Sequence, residues 1–239
     1  MNAIRAIASL MVGVSLMFDA WGFVLPNQNP RDILILVNKQ NRAPVVPMTL
    51  VKPDVTPTNE AYSENIYMRP EAARALEELF AGAADAGMTL YATSGYRSYS
   101  TQKAIFERKL EKMSEEAANK SVAKPGYSEH QTGLAMDVEG ETTKNTGLTA
   151  AFGDSPEGIW LAEHCHEYGF IIRYPKDKIN ITGYIYEPWH IRYVGREAAQ
   201  EITKLGVTFE EYIRMVRADR IEAVSQQTEQ DGEATQDAI

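Results

Sequence analysis

The sequence predicts a small α+β domain in which short strands lie between helices. The chain has 239 residues, of which 44% are hydrophobic and 24% are charged, values typical of one globular domain that buries a core without disulfides. Segments with apolar residues at helical spacing alternate along the chain with short runs rich in β-branched and aromatic residues. We find no internal repeat, so one domain with flanking segments is the expected organisation.

The first predicted elements follow a proline-containing linker. Residues 32–38 form an apolar run that predicts a buried strand or a strand-like segment, and the prolines of residues 43–58 exclude a regular helix there. A helix is predicted from Pro70 to Gly87, because proline suits the first helical position and glycine ends the apolar repeat.

The remaining elements complete the alternation of helices and strands. They are strands at 89–94 and 133–138, helices at 100–118 and 157–168, strands at 170–173 and 190–194, and helices at 197–205 and 209–216. The polar residues 139–158 predict a loop. Residues 221–239 are polar and acidic without apolar periodicity, so they predict a disordered tail.

Residues 1–25 predict an export signal. Arg5 precedes an apolar stretch from Ala6 to Phe18, as in the charged and hydrophobic regions of a secretory signal. No small-x-small cleavage site follows, and a run continued through Leu25 would be about long enough to span a bilayer, with Asp19 as a costly member. A signal peptide and a signal anchor therefore both stay open, with a buried N-terminal helix as the alternative.

Charge and cysteine content exclude some functions. The formal net charge of −9 argues against a nucleic-acid-binding surface. The single cysteine, Cys165, has no partner for an internal disulfide and lies in a predicted helix that ends at Gly169, so we expect a structural role rather than a nucleophilic one.

Three residues predict a metal site. His130 lies in a loop just before a strand, and Asp137 lies within that strand among apolar residues, where an unpaired carboxylate would cost several kcal/mol. His190 begins the last predicted strand. Two histidines and one carboxylate leave a fourth tetrahedral position open, as in catalytic rather than structural zinc sites, although other divalent ions also accept this ligand set.

Glu187 and Arg97 are candidates for the chemistry beside that metal. Pro188 disfavours the α conformation at Glu187, so Glu187 and His190 cannot share a helical face, but an extended or bulged chain could aim both into one cleft. Glu187 would then serve as the base. Arg97 follows a predicted strand and could bind an oxyanion or a substrate carboxylate, or be a surface residue that pairs with a carboxylate.

His164 and His166 form the more obvious histidine cluster, but a different role is expected for them. Residues two apart on a helix point to nearly opposite sides, so these side chains cannot bind one ion without unwinding the helix. We expect a structural or solvent-facing role for both.

Together these segments resemble the D-alanyl-D-alanine carboxypeptidases of the VanY type, which are related to D-Ala-D-Ala dipeptidases and hedgehog domains. The family pattern S-x-H-x-x-G-x-A-x-D is matched by residues 128–137, and E-P-W-H-x-R-Y-V-G by residues 187–195. Residues 94–102 and 169–175 also look like family segments. The resemblance covers roughly residues 32–205, and several separate motifs in the family's order make it specific.

The resemblance implies a central antiparallel sheet flanked by helices within a zinc peptidase domain at 26–220. It implies one zinc ion held by His130, Asp137 and His190, with Glu187 as base and Arg97 stabilising the oxyanion or the terminal carboxylate. Its substrate-facing positions are occupied here by Gln102, Ser128 and Tyr174, each of which could instead be structural.

The expected activity is a zinc carboxypeptidase, exported or anchored to the membrane, that removes the terminal D-alanine from peptidoglycan stem peptides. Both D,D and L,D specificity stay open. A dipeptidase or wall endopeptidase with the same site is the first alternative, and a non-catalytic hedgehog-like zinc-binding module is the second. Nothing in the sequence indicates an obligate protein partner.

Overall fold

A four-stranded antiparallel sheet forms the centre of the fold. The computed structural model describes residues 32–43, 49–144 and 146–236. The strands are β1 (Leu90–Ser94), β2 (Ala135–Gly140), β3 (Phe170–Tyr174) and β4 (Glu187–Tyr193), in the spatial order β1-β2-β4-β3. Every neighbouring pair is antiparallel, which confirms the expected α+β domain with a central antiparallel sheet.

Helices flank this sheet, and all of them except the short α5 fall in segments that the sequence predicts to be helical. They are α1 (Pro70–Asp85), α2 (Tyr99–Leu110), α3 (Glu115–Ala118), α4 (Pro156–His164), α5 (Ile179–Thr182), α6 (Arg196–Leu205) and α7 (Phe209–Gln236). Proline occupies the first position of α1, and Ser98 caps α2 by accepting a hydrogen bond from the backbone of Thr101.

The two faces of the sheet have different roles. Met136 and Val138 of β2 and Ile191 of β4 point into the main apolar core, which α1 covers with residues such as Leu76 and Leu79. Because successive side chains of a strand alternate between faces, the residues between them point to the opposite face. Polar side chains, rather than a continuous apolar layer, occupy that face.

Residues 32–38 and the predicted helix at 100–118 differ in detail from their predictions. Residues 32–38 were expected to form a buried strand or a strand-like segment, and they form a turn followed by a segment outside the sheet that is buried through Ile35, Leu36 and Val37. Their backbone carbonyls satisfy a buried arginine, since Arg192 donates to the carbonyl oxygens of Ile33 and Ile35, and this replaces sheet pairing. The predicted helix at 100–118 is interrupted after Leu110 and resumes as α3.

The C-terminal helix is longer than predicted. The structure continues α7 through residues 221–236, where the sequence analysis expected disorder. Its first turns are anchored by Phe209, Tyr212 and Ile213, and the residues beyond contain good helix formers and no proline. The apolar pattern reported only the anchored part.

The expected export signal at 1–25 lies outside the described residues. None of the helices in the described ranges combines the length and apolar character that crossing a bilayer requires.

Candidate metal centre and active site

The polar face of the sheet brings the three predicted metal ligands together. Asp137 lies in the middle of β2, directly opposite His190 on β4, and His130 lies in the 3-10 turn Glu129–Thr132 that precedes β2. One ligand atom from each residue lies within 4.8 Å of the others, and all three side chains are buried. This is the one such group among the described residues.

Each histidine is oriented by a partner on the ring nitrogen that faces away from Asp137. Nδ1 of His130 lies 2.7 Å from the carbonyl oxygen of Gly95, which leaves Nε2 to face Oδ2 of Asp137 at 3.3 Å. Nδ1 of His190 faces Oδ1 of Asp137 at 3.0 Å, and its Nε2 lies 3.5 Å from Oε2 of Glu129. Metal-binding histidines usually have such an outer partner, so the donor set fits one divalent ion.

The protonation of two of these groups, His130 and Asp137, already suits a metal. Burial lowers the pKa of His130, with Arg97 adding to the effect, so this ring is neutral near pH 7. Burial opposes the ionisation of Asp137, but His130 and His190 outweigh it and hold the pKa of that carboxyl well below its usual range. A neutral imidazole and a carboxylate are the forms that bind a metal.

A bulge in β4 brings Glu187 into the same site. Glu187 and His190 are three residues apart, and in a regular strand they would point to opposite faces. The pairing of β3 with β4 jumps from Ile172–Ile191 to Tyr174–Glu187, so β4 has extra residues in this interval. Pro188, which cannot donate a hydrogen bond to the ladder, lies in the bulge. Both side chains therefore line one cavity of about 340 Å³.

The Glu187 carboxyl group is buried, and it forms no hydrogen bond or ion pair with the other described residues. Burial, together with the charge of Asp137, raises its pKa to about 8, against the opposing effects of His190 and Arg97. A carboxyl group with a raised pKa that opens into a cavity beside a metal site is suited to accept and return a proton.

Arg97 and Gln102 form a fixed pair on the other side of the cavity. Nη1 of Arg97 donates to Oε1 of Gln102 at 3.0 Å, and Nη2 lies 3.4 Å from Oδ2 of Asp137. The amide nitrogen of Gln102 donates to the carbonyl oxygen of Ala123 at 2.7 Å. Gln102 is therefore occupied by the protein on both sides, and its contact with Arg97 positions the guanidinium.

Ser128 and Tyr174 also line this cavity, as predicted for substrate-facing residues. The Ser128 hydroxyl forms no hydrogen bond within the described residues, and the Tyr174 ring lies 5.0 Å from the His190 ring, centroid to centroid. Tyr184, which the sequence analysis did not single out, packs against Tyr174, and its buried hydroxyl has no partner in the described part of the chain.

The sequence analysis also missed Glu129, the residue that contacts the outer nitrogen of His190. Oε1 of Glu129 accepts from Nε of Arg173 at 2.8 Å and from Nη1 of Arg192 at 2.7 Å, and both guanidinium groups are fully buried. Arg173 also forms two hydrogen bonds with Glu210, at 2.9 and 2.6 Å. Two arginines within apolar strands were a usable signal, because a buried arginine requires a buried anion.

Three residues, His164, His166 and Cys165, were expected to have no part in metal binding or catalysis. His164 contacts Glu167 at 3.0 Å and stacks on Trp160, so it has a local structural role and is not in the metal group. His166 is also outside that group. Cys165 is buried in the main core, and burial raises its pKa to about 12, so its thiol is not a nucleophile at neutral pH.

Comparison with known proteins agrees with the family resemblance of the sequence motifs. The family model for VanY, D-alanyl-D-alanine carboxypeptidase, matches residues 65–196. The chain is 48% identical over 194 residues to the protein YodJ of Bacillus subtilis (strain 168), covering 80% of this chain and 70% of that protein.

Two solved structures extend the likeness to the fold. The LD-carboxypeptidase LdcB is 48% identical with a TM-score of 0.73, covering 79% of this chain and 88% of that one. A variant of the vancomycin-resistance D,D-pentapeptidase VanY, from a VanB-type resistance cassette and in complex with Zn(II), is 35% identical with a TM-score of 0.63, covering 75% and 98% of the two chains.

Proposed function

The chain belongs to the VanY family of D-alanyl-D-alanine carboxypeptidases and is a zinc-dependent peptidoglycan carboxypeptidase, and we propose that its zinc ligands are His130, Asp137 and His190, with Glu187 as base. One observation carries this assignment. Three convergent ligand atoms lie beside a buried carboxyl group that has no partner in the described chain, and all four side chains line one cavity. A zinc ion bound there would supply a Lewis acid that polarises the scissile carbonyl and acidifies water.

Glu187 performs the proton transfers. Its carboxylate accepts a proton from the attacking water as the new C–O bond forms at the scissile carbonyl. The same carboxyl group then donates that proton to the amine of the leaving alanine as the C–N bond breaks. The cycle returns Glu187 to its starting form, and a pKa of about 8 permits both directions of transfer.

Arg97 provides the positive charge that the substrate meets. Its guanidinium is only partly exposed, is held by Gln102 and Asp137, and faces the cavity that Glu187 also lines. This orientation suits a hydrogen bond to the developing oxyanion or to the terminal carboxylate of the peptide. The free hydroxyl of Ser128 and the ring of Tyr174 complete the subsite for the terminal D-alanine, and Gln102 acts through Arg97.

We also propose that the enzyme works outside the cytoplasmic membrane. Its substrate polymer is located there, and residues 1–25 have the charge and hydropathy of an export signal. The peptidase domain then comprises residues 26–220. Determining whether residues 1–25 are still attached to protein recovered from the cell exterior would distinguish a removed signal peptide from a retained anchor. Only the anchor leaves these residues attached.

The test is a stem-peptide assay that identifies the released group. Purified protein is incubated with pentapeptide and tetrapeptide stems, with and without a chelator, and the products are resolved by mass. We expect release of single D-alanine, loss of activity with chelator, and recovery with added zinc. Release of a dipeptide or cleavage within the stem would instead indicate a dipeptidase or an endopeptidase.

A variant separates the enzyme from a binding module. Glu187→Gln should bind zinc with wild-type stoichiometry but lose activity by about 100-fold or more, since general acid–base catalysis contributes about 10²–10⁴-fold. Glu141→Gln removes the same charge from an exposed position outside the cavity and should retain activity. Full activity in Glu187→Gln would contradict its role as base.

A further inference from the structure

A second cavity adjoins the proposed active site. It has a volume of about 770 Å³ and shares Arg97, Asp137 and Leu148 with the smaller cavity that contains Glu187. The two cavities therefore form one continuous cleft, with the metal ligands near one end. A peptide whose terminal residue occupies the small cavity would extend its preceding residues into the large one.

Glu139 lines this second cavity, and its side chain is buried without a partner among the described residues. It lies two residues after Asp137 on β2, so both side chains point to the same face of the sheet. Glu139 is only 4% exposed, yet it forms no hydrogen bond and no ion pair with any described residue. A buried carboxylate without a cation is destabilising, and proteins rarely keep one unless a ligand pairs with it.

No described cation forms an ion pair with this carboxylate. Arg97 is bound to Asp137 and Gln102, and the ammonium group of Lys144 lies over the Tyr91 ring, 3.8 Å from its centroid. Arg108 also lines the cavity, but it is exposed and its Nε donates to a backbone carbonyl of its own helix. The cleft thus offers Glu139 as an anion for a cation that the described part of the protein does not supply.

We propose that Glu139 binds the side-chain ammonium group of the diamino acid in the stem peptide. This inference rests on the proposed function, in which the scissile carbonyl lies beside Asp137. Two residues along a strand span about 7 Å, which is within reach of an extended side chain with a four-carbon stem. The distance matches a diamino acid immediately before the scissile bond, which is its position when a tetrapeptide loses its last residue.

The contact makes the enzyme sensitive to cross-linking. A diamino acid with a free side chain carries an ammonium group at neutral pH, whereas in a cross-linked stem the same nitrogen is an amide without charge. Only the free form can pair with Glu139. The enzyme should therefore trim stems whose diamino acid is not cross-linked and act poorly on those that are.

The experiment compares three tetrapeptide stems that differ only at the third residue. The residue is lysine, Nε-acetyllysine or norleucine, and kcat/KM for release of alanine is measured with wild type, Glu139→Gln and Glu141→Gln. We expect wild type to prefer lysine over both uncharged residues by about ten- to a hundredfold, the usual value of a hydrogen bond to a charged group. Glu139→Gln should reduce this preference to nearly one, and Glu141→Gln should retain it.

Each outcome is decisive. A ratio of substrates is insensitive to partial unfolding, so a merely structural role of Glu139 would leave the preference intact and overturn the proposal. Equal rates on all three peptides with wild type would overturn it even if the variant does not fold. A high rate on norleucine with a low rate on acetyllysine would show steric exclusion instead of charge recognition. Absence of alanine release from every tetrapeptide would overturn this inference, whereas the proposed function would be overturned only if the pentapeptide stem also released no alanine.

Discussion

Replacing Glu129 by glutamine should weaken both the fold and the metal site. In the wild-type chain, one carboxylate oxygen of Glu129 accepts from two fully buried arginines, and the other lies 3.5 Å from Nε2 of His190. Burial alone would raise the pKa of this carboxyl, but Arg173 and Arg192 hold it well below its usual range. Glu129 is therefore charged at neutral pH, and glutamine would remove one negative charge from a buried ion cluster.

The magnitude follows from the geometry. Glu129 and Glu210 balance Arg173 and Arg192, so the substitution leaves one guanidinium uncompensated in the interior. Breaking a buried pair in this way costs about 3–5 kcal/mol. At about 2–4 °C per kcal/mol for a domain of this size, the expected fall in Tm is about 6–20 °C. Loss of the outer partner of His190 should also weaken zinc binding by about 10–100-fold.

A matched variant separates the two effects. Glu210→Gln removes the same charge from the same cluster, because Glu210 binds Arg173, but Glu210 does not contact His190. Thermal unfolding of the metal-free proteins should show a similar fall in Tm for both variants, while chelator competition should show the larger loss of zinc affinity only in Glu129→Gln. Equal zinc affinities in the two variants would refute the positioning of His190 by Glu129, and unchanged Tm values would refute the account of the buried charges.

Three further results are expected. Burial opposes protonation of His190, but Asp137 and Glu129 outweigh it and raise its pKa to about 9, so the metal-free protein holds a proton that zinc must displace. Zinc affinity should therefore rise by about tenfold per pH unit between about pH 7 and pH 9, and a flat profile by chelator competition would contradict this. Cys165 is buried and its pKa is raised to about 12, so native protein should resist a thiol reagent at pH 8 that labels unfolded protein fully. Gly95→Ala should lower zinc affinity, because the added Cβ would lie 2.5 Å from a backbone oxygen and displace the carbonyl that orients His130; equal affinity by competition would count against it.

Much of the fold could be predicted because its elements are locally encoded. The helix beginning at Pro70 and the strands around Tyr91 and Ile172 have apolar periodicities that match their secondary structure. For residues 32–38 the sequence left a strand and a strand-like segment open, because a buried apolar run does not reveal whether its backbone pairs with a strand or with a side chain. Here the carbonyls of that run bind Arg192, a contact between residues far apart in sequence.

Some residues of the candidate site could likewise be predicted from the sequence, and others could not. His130, Asp137 and His190 could be predicted because a buried carboxylate between histidines requires an explanation, and the structure brings them together. Glu129 could not be predicted from its neighbours, since it lies beside His130 in sequence but contacts His190, which is 61 residues further along the chain. Local patterns report a residue's chemical type, whereas the partner of a buried charge depends on the tertiary fold.

Because of the bulge in β4, the number of residues in this strand decides whether Glu187 reaches the metal site. Glu187 and His190 share a cleft only because the strand contains extra residues between Ile191 and Glu187 relative to β3. Removing the two residues between Glu187 and His190 would make these residues adjacent on a regular strand, where neighbouring side chains point to opposite faces, so Glu187 would turn toward the apolar core. Relatives aligned to this chain can therefore be sorted by the number of residues in this segment as well as by their identity. A homologue with altered spacing would still bind the metal but would lack peptidase activity.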